Sequence, residues 1–181
     1  GALAVNIAGF EKYQRTDAWT WEQMALTRAR VIYASDSLRG QLDPLIDTIL
    51  RKPREAAAVL HDVADMRLRI ADEIPGTGIW SLKYVRGGLL DLEFIAQGLQ
   101  LTTADKTPSV LHRPTASVFE ALGDQQLDDQ VAQSLAETTR LFQDIEGLFR
   151  LCLEGAPTDE NIPAGLVRAL CRVANMPDLA M

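Results

Sequence analysis

Apolar residues recurring at three- and four-residue steps dominate this chain, and no segment alternates apolar with polar side chains as a half-buried strand does. That period commits the chain to helices. The longest stripe, Leu127, Val131, Leu135, Thr138, Phe142, Ile145, Phe149 and Cys152, predicts one helix over residues 124–154, about 45 Å long at 1.5 Å per residue. A first helix is predicted over 11–34, closed by Ser35-Asp36-Ser37, and a second over 38–51. A third begins at Pro53 and ends before Pro75-Gly76-Thr77-Gly78, and residues 79–86 are the least helical stretch. Gly87-Gly88 opens a fourth helix through Leu101, a short one covers 116–122 with Gly123 as its stop, and Pro163 starts the last. The expectation is an all-α helical bundle of about six to seven helices, a single helical domain over residues 1–181.

An all-α chain lacks the strand-to-helix glycine loop that cradles phosphates in dinucleotide-binding and P-loop folds. Charge narrows the function classes further. The net charge is −7, with twelve basic against eleven acidic residues up to Leu90 and six against fourteen beyond it. Nothing here forms the broad basic surface that a nucleic-acid backbone requires. No apolar run approaches the ~18–20 residues that span a bilayer. Cys152 and Cys171 are too few for a disulfide framework or a four-ligand zinc site, so a reducing, cytoplasmic setting is expected. The chain begins at Gly1 without an initiator methionine and reads as a segment of a longer protein.

Two constellations carry chemistry. On a wheel of the first helix, Ala18, Trp19, Trp21, Met24, Leu26, Val31, Ile32 and Tyr33 make a wide apolar arc, and Glu22 and Arg28 fall inside it. An ionised group there either pairs with another helix or faces a ligand. Arg30 points elsewhere. The second constellation runs through Lys83, Arg86, Gly87, Gly88, Asp91, Glu93 and Gln97. On a strand, Asp91 and Glu93 would share a face and could hold two metal ions, but only Leu89 and Leu90 separate the glycines from Asp91, too little chain for that arrangement. On a helix they diverge: Asp91 is a first-turn acid, and Glu93, Gln97 and Gln100 make a polar stripe. Gly87 and Gly88 form a structural turn. Lys83 and Arg86, just before a helix N-terminus, offer positive charge to an anion or are simply solvated. His61-Asp62 reads as a surface pair, and the three tryptophans are assigned to the core.

The stretch Ala18-Trp19-Thr20-Trp21-Glu22-Gln23-Met24-Ala25-Leu26-Thr27-Arg28-Ala29-Arg30 and the stretch Lys83-Tyr84-Val85-Arg86-Gly87-Gly88-Leu89-Leu90-Asp91-Leu92-Glu93-Phe94-Ile95-Ala96-Gln97, with Asp62-Val63-Ala64-Asp65-Met66-Arg67 between them, resemble the helical domain of glutamate-ammonia-ligase adenylyltransferase. The resemblance implies an enzyme of two similar halves, each a nucleotidyltransferase domain followed by a helical domain. One half attaches AMP to a tyrosine of glutamine synthetase and the other removes it, with ATP and Mg²⁺ as cofactors. The Ala-Trp-Thr-Trp-Glu form is similar to the C-terminal, adenylylating half. Partners implied are glutamine synthetase, the signalling protein PII and the enzyme's own nucleotidyltransferase domain; no nucleic acid and no membrane are implied. That nucleotidyltransferase core would precede Gly1, so no catalytic residue and no metal ligand is expected within the segment, nor tight binding of a cofactor. Glu22, Arg28, Lys83, Arg86, Glu93 and Gln97 are the residues expected to face nucleotide or substrate. The rival expectation is a regulatory module that binds PII, glutamine or glutamine synthetase without a part in the chemistry, for which the acidic second half speaks.

Overall fold

The computed structural model describes residues 4–76, 78–123, 126–158 and 160–177. Eight α-helices and one 3-10 helix stand among them, with no strand, so the all-α expectation holds and the helix count slightly exceeds it. They are α1 (Ile7–Thr16), α2 (Thr20–Leu26), α3 (Asp36–Leu50), α4 (Ala56–Glu73), α5 (Leu89–Thr103), the 3-10 turn Pro108–Val110, α6 (Thr115–Gly123), α7 (Asp129–Cys152) and α8 (Ala164–Val173).

The single helix expected over residues 11–34 is instead α1, α2 and a non-helical stretch, and local side-chain bonds explain the break. The Thr16 hydroxyl donates to Lys12 O at 2.9 Å and to the Asp17 carboxylate at 2.8 Å, competing with helix continuation. Trp19 is extended, and the Glu22 side chain accepts its backbone N–H at 2.9 Å, starting a new helix. Thr27 then bonds back to Met24 O at 2.7 Å, where α2 stops. The wide apolar arc therefore never forms as one face. Met24 and Leu26 are buried, whereas Trp19 is 69% exposed, Trp21 47%, Ile32 74% and Tyr33 95%. Two of the three tryptophans thus lie outside the core; Trp80 packs edge-on against Phe149, ring centroids 5.8 Å apart.

Elsewhere the caps set the boundaries. Ser35 accepts from Leu38 N–H, Glu55 from Ala57 and Ala58 N–H, and Asp128 from Gln130 and Val131 N–H. Glu55, rather than Pro53, thus opens α4. Capping by Asp128 makes α7 24 residues, about 36 Å, shorter than the 124–154 run. Asp124 lies outside the described residues.

The helices enclose three apolar clusters. Met24, Leu26, Ile49, Leu50, Val59, Val63 and Leu101 join α2, α3, α4 and α5. Leu92, Ala96, Val118, Phe119, Leu122 and Ala136 join α5, α6 and α7, and Phe149, Leu166 and Leu170 join α7 and α8. Helix α5 contributes to two of them and buries nine of its positions, so it is the axis of the fold. Gly98 lets α4 cross it closely: a Cβ there would stand 3.2 Å from Val63 Cγ2. No helix among the described residues is long and apolar enough to cross a membrane.

Candidate functional site

The two constellations of the sequence meet on α5, but on diverging sides of it. Arg28, just past the end of α2, reaches across to Glu93, with Arg28 Nη1 donating to Glu93 Oε1 at 2.5 Å. The arginine side chain is 43% exposed and the carboxylate 18%. Of the two sequence readings for a charge in the apolar arc, pairing with another helix is what Arg28 does. Only one guanidinium nitrogen is engaged and the side chain is partly exposed, so donors remain for a further acceptor.

Glu22 is engaged differently. One carboxylate oxygen caps α2 at Trp19, and the other accepts the Tyr13 hydroxyl at 2.6 Å, tying α1 to α2. Holding the phenolic proton against a carboxylate raises the Tyr13 pKa above the ordinary tyrosine value.

The turn before α5 is held by a clamp. Arg67 of α4 donates through Nε to Asp91 Oδ1 and through Nη2 to the carbonyls of Tyr84 at 2.9 Å and Val85 at 3.4 Å, while Asp91 Oδ2 accepts Gly87 N–H at 2.5 Å. Arg67 and Asp91 side chains are 16% and 19% exposed. Gly87 sits at φ +77°, where a side chain would be strained. Gly88 touches the turn so closely that a Cβ would lie 2.3 Å from Leu82 O and 2.8 Å from Val85 O. The two glycines are the structural turn the sequence implies, and Asp91 is a first-turn acid with a second task, fixing that turn.

From this turn Lys83 lies over the Tyr84 ring at 5.0 Å, and exposed Arg86 lines a groove between α4 and α5. Gln97 and Gln100 of the polar stripe are buried in the bundle, and Gln100 Oε1 has no hydrogen-bond partner. The structure therefore gathers Arg28 with Glu93, and Arg86 with Asp91 and Arg67, but does not assemble all six candidates into one pocket. Asp91 and Glu93 are each committed to an arginine, and no group of three or more metal-ligating side chains stands among the described residues. These residues do not fit a two-metal centre. His61 pairs with Asp65 at 3.5 Å on the surface, while Asp62 accepts the Thr20 hydroxyl.

Sequence reasoning missed Arg54. Its guanidinium donates to the carbonyls of Ile49, Leu50 and Lys52, each at 2.8 Å, and to Gln23 Oε1 at 3.0 Å, closing the C-terminal end of α3 against α2. Burial lowers its pKa from the usual arginine value, opposed by Asp105. It also missed the task of Arg67. The signal for Arg67 was available: it shares a helix face with Leu60, Ala64, Leu68 and Ala71, an inward charge like the one noticed at Arg28.

A family model described as glutamate-ammonia ligase adenylyltransferase matches residues 1–45. The chain is 41% identical over 182 residues to a bifunctional glutamine synthetase adenylyltransferase/adenylyl-removing enzyme of Agrobacterium fabrum, and 40% identical over 183 residues to those of Rhizobium meliloti and a Bradyrhizobium strain. Each alignment covers 99% of this chain and 18% of the relative, so the chain spans less than a fifth of the length of these enzymes.

Proposed function

We propose that this chain, which aligns over 99% of its length to one segment of bifunctional glutamine synthetase adenylyltransferase/adenylyl-removing enzymes, belongs to that family and serves as a single helical domain that completes an adenylyltransferase acting on glutamine synthetase. In this reading the nucleotidyltransferase core lies elsewhere in the enzyme, binds ATP and Mg²⁺, and carries out the transfer. ATP and Mg²⁺ supply the AMP and the charge neutralisation; this chain's residues bind and orient.

The observation that carries the reading is the Arg28–Glu93 pair. A partly exposed guanidinium held by one nitrogen to a half-buried carboxylate, with donors to spare, is pre-oriented to meet an anionic group presented by an adjoining domain. With its guanidinium 43% exposed the pair is partly screened by water and contributes about 1 kcal/mol, so it is a modest stabiliser and a suitable positioning device. The Arg67–Asp91 clamp supports it by fixing the N-terminal turn of α5, two residues from Glu93.

The test is made in the full-length enzyme that carries this segment. Arg28→Ala and Glu93→Gln should each lower the rate of AMP incorporation into glutamine synthetase at least tenfold while moving Tm by less than about 3 °C. A large fall in Tm with normal specific activity would overturn the reading.

The rival reading, a binding module for PII, glutamine or glutamine synthetase, gains from the structure the exposed pair Trp19 and Trp21 around the start of α2, since exposed tryptophans are frequent anchors of protein interfaces. Trp19→Ala and Trp21→Ala separate the two, weakening PII response or glutamine synthetase affinity under the module reading and leaving both intact under the first.

A further inference from the structure

Apart from the Arg67–Asp91 pair at one end, the groove between α4 and α5 has no part in the reading above. It has a volume of about 640 Å³, and its walls are apolar: Leu60, Ala64 and Leu68 from α4, Phe94, Ile95 and Leu99 from α5. Three of these side chains face water, Leu68 at 64% and Leu60 and Ile95 at 44% each. The walls are tied together, because Val63 packs on Gly98 at the helix crossing and the Arg67–Asp91 pair joins the two helices at one end. Between Leu60 and Ala71 the groove runs about 16 Å, the length of three helical turns.

We propose that this groove binds an amphipathic helix of a partner polypeptide, with aliphatic residues on one face and a carboxylate at one end. Three features identify the occupant. An extended segment would desolvate its own N–H and C=O groups, because those of α4 and α5 are spent within their helices; a helix brings its backbone already paired. Of the charges lining the groove, Arg67 and Asp91 cancel, which leaves Arg86, with no ion pair among the described residues, as a net +1 at one end. A single carboxylate on the incoming helix matches it. Finally, Leu60, Leu68 and Ile95 lie partly in water along the groove, the surface that the apolar face of a helix would cover.

The test titrates the whole chain into a fluorescein-labelled helical peptide of about fourteen residues with leucines at i, i+3, i+4 and i+7. One version carries a terminal glutamate and its twin a lysine, each charge placed at either end. Fluorescence anisotropy should show saturable binding of a glutamate version about threefold or more tighter than its lysine twin. Arg86→Glu should invert that preference. Leu68→Asp and, separately, Leu60→Asp should abolish binding with the thermal melt unchanged, since both side chains are already partly in water. Equal binding of the two peptides, no saturation below about 1 mM, or indifference to both leucine variants overturns the proposal. So does one-to-one binding of laurate without the peptide, or a dimer in sedimentation that Leu68→Asp dissociates, since either result gives the groove a different occupant.

Discussion

Replacing Asp91 by alanine removes two of the bonds that hold the turn carrying Lys83 and Arg86, those from Arg67 Nε and from Gly87 N–H. The charge-assisted bond from Arg67 is worth about 1.5–3 kcal/mol, and the bond from Gly87 N–H adds about 1. Arg67 keeps its two carbonyl acceptors, and both side chains retain some contact with water, which limits the penalty of an unpaired guanidinium. The net cost is about 3 kcal/mol, which for a chain of this length lowers Tm by about 6–12 °C. Asp91→Asn keeps one acceptor oxygen and should lose less. The assay is thermal and urea unfolding of wild type, Asp91→Ala, Arg67→Ala and the double variant. A coupling energy above about 1 kcal/mol is expected from the cycle. A Tm change under about 2 °C for Asp91→Ala, or strictly additive single effects, refutes the clamp.

Other perturbations probe the same framework. Arg54→Met leaves three carbonyls near the end of α3 without their donor and should cost about 3 kcal/mol in urea unfolding, more than any exposed arginine removed elsewhere. Gly88→Ala drives a Cβ into Leu82 O and should lower Tm by several degrees, whereas Gly147→Ala, with open space around it, should leave Tm level or raise it slightly. For Tyr13 the pH dependence has a fixed sign. Its pKa is raised in the folded state, so the stability difference between wild type and Tyr13→Phe should be constant below about pH 10 and shrink as pH rises through the raised value. A difference that grows in alkali, followed by thermal melts from pH 8 upward, rules out the Tyr13–Glu22 bond.

Legibility in the sequence depended on where local physics decided the outcome. The starts of α3, α5 and α8 could be read because Ser35, Gly88 and Pro163 are local signals that act on the next few residues. Residues 11–34 misled because the helical period continues through 27–34 while Thr16, Glu22 and Thr27 spend their side chains on breaking the helix. A wheel drawn across such a break puts Trp19 and Tyr33 on a face that does not exist. The site shows the same division. That Arg28 needed a partner followed from its place in the pattern, but the choice of Glu93, 65 residues on, is set by how α2 packs on α5. Arg54 left no trace in the pattern because all but one of its acceptors are backbone carbonyls, which have no sequence identity.

The transplant of residues 1–181 in place of the aligned segment of the Agrobacterium fabrum enzyme bears most directly on the proposed role, with incorporation of labelled AMP into glutamine synthetase as the readout. Incorporation should persist in the hybrid and fall at least tenfold with Arg28→Ala, while the 181-residue chain alone incorporates none. AMP transfer by the chain alone, or a hybrid equally active with and without the Arg28 side chain, means that these helices do not complete the enzyme in the way proposed.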